Sequence, residues 1–151
     1  MSIFQIENAT AVLPNDVLHN ACIIVEDGII VKISEHRADI PRSVDVHEAI
    51  CMPGVVDSHS DGLETEILPR PSARLPLDFS LRSFEARVRS AGITTLYHGI
   101  GFENDGPRSV ELAHQFVDAI HDYSHSNNTL IENKVLYRLD ARDADGHEGL
   151  T

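Results

Sequence analysis

The chain has 151 residues, with 24 acidic against 12 basic side chains and a formal net charge of −12. That length allows a domain with a real hydrophobic core, and so acidic a balance excludes the nonspecific grip on nucleic acid or anionic membrane that basic surfaces provide. The sequence shows no run of 18 apolar residues and no charged-then-apolar leader, so a cytoplasmic protein with no nucleic-acid or membrane partner is expected.

Ile3 to Val12 mixes apolar and polar residues in the manner of a half-exposed strand, and Pro14-Asn15-Asp16 marks a turn. Ala21 to Glu26 and Ile29 to Ile33 are β-branched, apolar runs on either side of Asp27-Gly28, a strong hairpin signal. Ser43 to Glu48 alternates Val44 and Val46 with polar neighbours and reads as a further strand. Such a small sheet must have its apolar face covered; an independent β domain is the alternative. Cys22 and Cys51 have no metal-type spacing and sit among apolar residues, which predicts buried, reduced thiols.

The sequence then reads Pro-Gly-Val-Val-Asp-Ser-His-Ser-Asp-Gly-Leu-Glu from Pro53 to Glu64. Val55 and Val56 make a short buried strand entered through the Pro53-Gly54 turn. His59 and Asp61 lie two apart, on one face of that strand if it continues. Imidazole and carboxylate are a fitting bite for a divalent metal, although a complete site needs three or more ligands and the pair also reads as a solvated strand end. Ile67 to Pro76 holds three prolines in eight residues and reads as a long loop, carrying Arg70 and Arg74. These two are anion ligands or surface arginines paired with Glu64, Glu66 or Asp78.

Asp78 or Ser80 caps a helix running to about Ala91, with Leu81, Phe84 and Val88 as its buried stripe and Gly92 as its C′ residue. Ile93 to Ile100 reads as a parallel strand with His98 near its end, facing a ligand or held in a structural hydrogen bond. Gly99 to Pro107 reads as a loop. Arg108 to Ser124 forms a second helix through Val110, Ala113, Val117 and Ile120, with His114, His121 and His125 on its polar side. Lys134 to Asp140 gives a third strand, and Asp140, Asp143, Asp145, His147 and Glu148 an acidic tail.

Pro53 to His59 resembles the first barrel strand of the amidohydrolase superfamily, where Pro-Gly, two apolar residues, Asp and any residue precede His-x-His. Here Asp61 stands at the second His. That His-x-Asp form, with Gly62-Leu63-Glu64, Pro69-Arg70-Pro71 and Ala91-Gly92-Ile93-Thr94-Thr95, is similar to the PhnM family of phosphonate-metabolism diphosphatases, which release pyrophosphate from alpha-D-ribose 1-methylphosphonate 5-triphosphate. The resemblance implies an α/β chain in two parts. Residues 1–52 are the N-terminal portion of a small, sandwich-like β domain, and 53–151 hold the first two to three strand-helix units of a (β/α)8 barrel, which in full needs about 250 residues.

It also implies a divalent metal ion, zinc by preference, on His59 and Asp61, and a phosphorylated sugar phosphonate contacted by Glu64, Arg70, Arg74 and His98. Superfamily members usually carry Asp near the position of His98. The water-activating Asp is expected beyond Thr151, so the chain alone is expected to lack the family's activity and to need a complementary C-terminal half or an oligomer. Two other readings stand beside this one: another amidohydrolase acting on carbon–nitrogen bonds, and a noncatalytic interaction domain.

Overall fold

The computed structural model describes residues 2–70, 72–104, 106, 108–143, 146 and 148. The chain divides into two compact units, Met1–Pro53 and Gly54–Thr151. Pro71, Asp105, Asp145 and His147 lie outside the described residues, as do the parts of the expected loops and tail that they carry.

The first unit is a five-stranded sheet made of β1 (Ile3–Val12), β2 (Val17–Glu26), β3 (Ile29–Ser34), β4 (Ser43–Asp45) and β5 (Ile50–Cys51). The order is β3-β2-β1-β4, with β5 also on β1. The β2–β3 hairpin turns on Asp27 and Gly28, both at positive φ (47° and 85°), the conformation that matches the twist of the flanking strands. The expected Ser43–Glu48 strand is shorter than its alternation suggested. It stops at Asp45 because His47 and Glu48 take φ of 50° and 67°. Glu48 N–H then donates to the carbonyl of Asn8, where β1 itself bulges. Ala9, Ala11, Ala21, Ile23 and Val25 form the core of this unit. Cys22 is buried and reduced as expected, while Cys51 is only partly covered.

The second unit is a three-stranded parallel sheet, β6 (Val55–Ser60), β7 (Ile93–Phe102) and β8 (Glu132–Leu139), in the order β6-β7-β8. It opens on Gly54, where a Cβ would lie 2.0 Å from Thr94 Oγ1; the strand entry is too close for any side chain. The connections carry α1 (Gly62–Ile67) and α2 (Leu77–Ser90) between β6 and β7, and α3 (Val110–Ser124) between β7 and β8. This is a partial, unclosed strand-helix arrangement of the kind that builds a (β/α)8 barrel.

Leu81, Phe84 and Val88 form the buried stripe of α2, and Gly92 (φ 85°) ends the helix as the sequence indicates. The cap differs: Pro76 stands at the N-cap, and Asp78 lies inside the first turn. α3 is capped by Ser109, whose side chain accepts from Leu112 N–H at 3.1 Å. Its deepest stripe is Ala113, Phe116, Ile120 and Tyr123, so Phe116 and Tyr123 sit deeper than Val110 and Val117. His121 and His125 remain exposed. Beneath α2 and α3 lie Leu96, Ile100 and Phe102 of β7, each essentially without solvent contact. β7 therefore runs two residues past Ile100 and absorbs the first part of the expected loop. Among the described residues no helix is long and apolar enough to cross a membrane.

Candidate metal-binding site

β7 sorts its side chains by alternation. Leu96, His98, Ile100 and Phe102 face the helices, and Gly99 and Gly101 face the other way. On the Gly99 side lie the ends of β6 and β8. A Cβ at Gly99 would stand 2.8 Å from Asp61 Oδ1, 3.1 Å from His59 Nε2 and 3.2 Å from Arg138 Cδ. Glycine is what allows three side chains, from β6, the N-cap of α1 and β8, to settle on this strand.

His59 is on β6, and Asp61 follows it as the N-cap of α1 without bonding to that helix's N–H groups. Its Oδ1 instead lies 3.3 Å from His59 Nε2 and accepts from Arg138 Nη1 at 2.6 Å. The side chains of His59 and Asp61 are about half exposed, at 52% and 53%. Beside Gly101 a second cluster forms: Arg108 donates through Nε and Nη2 to Glu64, at 2.8 Å for the shortest contact, and through Nη1 to Glu103. The hydrogen bonds to Glu64, together with Glu103, hold the Arg108 guanidinium far above its ordinary value and permanently charged.

Of the residues expected from sequence, the structure brings together His59 and Asp61. Glu64 is engaged by Arg108. Arg70 and Arg74 are exposed on the loop after α1, which is pinned by Ala73 N–H to the Arg70 carbonyl and Leu75 N–H to the Ile67 carbonyl. Among the described residues neither arginine forms an ion pair with Glu64, Glu66 or Asp78; Glu66 is held by Arg87 and Ser83.

His98 turns away from this face. It is 1% exposed, tilted against Phe84, and donates through Nε2 to Asn133 Oδ1 at 2.9 Å. Burial pushes its pKa down, with Asn133, Glu85 and Asp57 acting in the opposite sense. It is thereby held neutral, on the helix side of the sheet. Asn133 passes the network to Glu85, a buried carboxylate that accepts from Leu130 and Ile131 N–H, Asn133, Thr129 and Tyr123.

Arg138, Gly99, Arg108 and Glu103 were not singled out from the sequence. Arg138 carried a usable signal, being a charged residue near the C-terminal end of a predicted parallel strand, where sites of this architecture gather. Gly99 and Glu103 lie in the stretch from Gly99 to Pro107, whose composition reads as a loop.

The donor chemistry of His59 and Asp61 fits a divalent ion. Two zinc ligands at about 2.0–2.1 Å and a tetrahedral angle stand about 3.3 Å apart, and that is the separation of His59 Nε2 and Asp61 Oδ1, 3.3 Å. They supply two donors. Among the described residues no group of three or more His, Cys, Asp or Glu side chains converges as a metal site.

No family model matches the chain. The solved structures with which it aligns define the class of its fold. An amidohydrolase crystal structure aligns at TM-score 0.58 and 21% identity, over 93% of this chain and 32% of that one. The zinc complex of the atrazine chlorohydrolase TrzN from Arthrobacter aurescens TC1 aligns at TM-score 0.61 and 17% identity, over 89% and 35%. Among curated proteins, the chain is 29% identical over 119 residues to the alpha-D-ribose 1-methylphosphonate 5-triphosphate diphosphatase of Escherichia coli (strain K12), covering 78% of this chain and 31% of that protein. The chain thus spans about a third of the length of these proteins. Its fold is that of part of an amidohydrolase.

Proposed function

We propose that this chain is the metal-holding section of an amidohydrolase-type hydrolase, with His59 and Asp61 as the ligands it contributes. The observation that carries this reading is the 3.3 Å approach of His59 Nε2 to Asp61 Oδ1 at the C-terminal end of a parallel strand. A divalent ion bound there supplies Lewis-acid activation of water and stabilises negative charge as it develops. The chain's own residues do the positioning: Gly99 leaves room for the pair, Arg138 orients the Asp61 carboxylate, and Arg108 draws Glu64 and Glu103 into the neighbouring cluster.

The bond class these observations favour is carbon–nitrogen, in an amide or cyclic amide. The structural likeness is to an amidohydrolase. The face that holds His59 carries Asp61, Glu64 and Glu103, each paired with Arg138 or Arg108, so the local charge is nearly balanced and the net charge of −12 of the whole chain disfavours a triphosphate more than a neutral amide. One specific observation favours a second reading, the release of pyrophosphate from a sugar phosphonate: the match to the Escherichia coli diphosphatase. In that reading Arg70 and Arg74, exposed on the loop after α1, are the phosphate ligands.

The test is a hydrolysis assay with zinc, using the 151-residue chain alone and co-expressed with the section of the diphosphatase relative that lies outside the match. The expected result is no turnover by the chain alone and zinc-dependent turnover of the pair, abolished by His59→Ala. Amide cleavage upholds the first bond class and pyrophosphate release the second. If neither preparation shows His59-dependent hydrolysis, the proposal fails.

A further inference from the structure

Asp61 Oδ1 accepts a hydrogen bond from Arg138 and approaches His59 Nε2 with the same oxygen. His59 Nε2 and Asp61 Oδ1 stand at a separation that matches the bite of a tetrahedral ion, and loading does not need that distance to change. What it does need is the oxygen that Arg138 holds at 2.6 Å. A guanidinium never loses its charge under ordinary conditions. A divalent cation about 2 Å from that oxygen would face a fixed positive charge a few ångströms away, and the two repel, with solvent at this half-exposed pair moderating the repulsion.

Resting on the metal-holding reading of His59 and Asp61, we propose that Arg138 is a positioning residue that competes with the divalent ion. It holds the Asp61 carboxylate in its ligand orientation while no metal is bound, and it must swing away for metal to enter. The same contact that orders the site therefore lowers its metal affinity. Arg138 lies 77 residues from Asp61 in sequence, so the affinity of the first-strand ligands is set by the third strand.

The experiment is a calorimetric titration of the full chain with zinc, comparing the natural protein with Arg138→Met, Arg138→Lys and the double variant Arg138→Met/His59→Ala. Arg138→Met is expected to bind zinc at least tenfold more tightly, Arg138→Lys to gain less because it keeps a cation, and the double variant to lose the gain. Equal or weaker zinc binding by Arg138→Met, or a gain that survives removal of His59, overturns the proposal. If Arg138→Met does not fold, NMR of the natural chain decides. The Arg138 guanidinium resonances are then expected to shift with the same zinc dependence as the His59 imidazole, and Arg138 resonances unmoved while His59 shifts, or no His59 response at all, overturn the idea. These readouts do not use turnover. Zinc that displaces Arg138 without any hydrolysis would leave this inference standing while the hydrolase reading fails.

Discussion

Asp61 stands at the N-cap of α1 and yet gives none of its side-chain hydrogen bonds to that helix. An Asp at that position ordinarily accepts from the first-turn N–H groups, worth about 1 kcal/mol. Here the carboxylate is drawn to His59 and Arg138, and Gly99 makes that possible. Gly99→Ala places a methyl 2.8 Å from Asp61 Oδ1 and 3.1 Å from His59 Nε2, separations that packed side chains do not tolerate. The expected outcome is a loss of about 1–3 kcal/mol in folding stability, with displaced His59 imidazole resonances. Unchanged NMR signals and an unchanged urea midpoint would show that the three groups do not rest on Gly99. His59 and Asp61 were legible in the sequence because one local motif held both. Arg138 and Gly99 were not, since their roles depend on which strands lie side by side, and no spacing along the chain encodes that.

Elements with strong local signals form where the residues indicate them: the Asp27-Gly28 hairpin, the Leu81/Phe84/Val88 stripe and the Gly92 terminus. The misses have tertiary causes. β4 ends early because Glu48 turns to bond Asn8 on a bulged neighbour, and α1 forms from the six residues after Asp61, which show no helical period long enough to read. His98 illustrates the limit best, because strand alternation decides its face and the sequence left its partner open. Asn133 of β8 supplies that partner, and Glu85 ties Asn133 to α2 and, through Tyr123, to α3.

His98 and Glu85, two titratable members of this network, have different pH windows. His98 has its folded pKa lowered by burial, so the unfolded chain binds the proton first. The stability contributed by neutral His98 is full above the ordinary histidine value of about 6.5 and is lost as pH falls below it, by at most about 1.4 kcal/mol per pH unit. For Glu85, burial raises the pKa, but hydrogen bonds from Tyr123, Leu130, Asn133 and Thr129 outweigh it and hold the group below the ordinary carboxylate value. Its contribution is present above that value and lost only in more acid solution. Urea midpoints at pH 7.5 and 5.5 are therefore expected to differ more in the natural chain than in His98→Gln, whose amide can still donate to Asn133. An equal difference in both would rule out His98 as the source of the acid sensitivity.

At the scale of the molecule, most buried apolar residues fall into two clusters with no residue in common, one in each unit. Ala9, Ala11, Ala21, Ile23 and Val25 make the first, and the second is built around Leu96, Ile100, Phe102, Phe116 and Ile120. The first draws its strength from local pairing, a hairpin and its neighbour strand. The second depends on parallel strands joined through helices, so its contacts span long loops and close only when α2 and α3 are in place. Leu96→Ala tests whether these cores carry stability separately. Leu96 has no solvent exposure, and trimming it to Ala costs about 2–5 kcal/mol. Native-state hydrogen exchange followed residue by residue is expected to show faster exchange throughout β7, β8 and α3, with protection in β1 and β2 unchanged. Equal loss of protection in β1 and β2 would mean that the two cores unfold as one cooperative unit. With separate cores, the His59–Asp61 site depends on the second core alone, so zinc affinity in Leu96→Ala should fall only where β7 is opened enough to populate the unfolded form, and independently of β1.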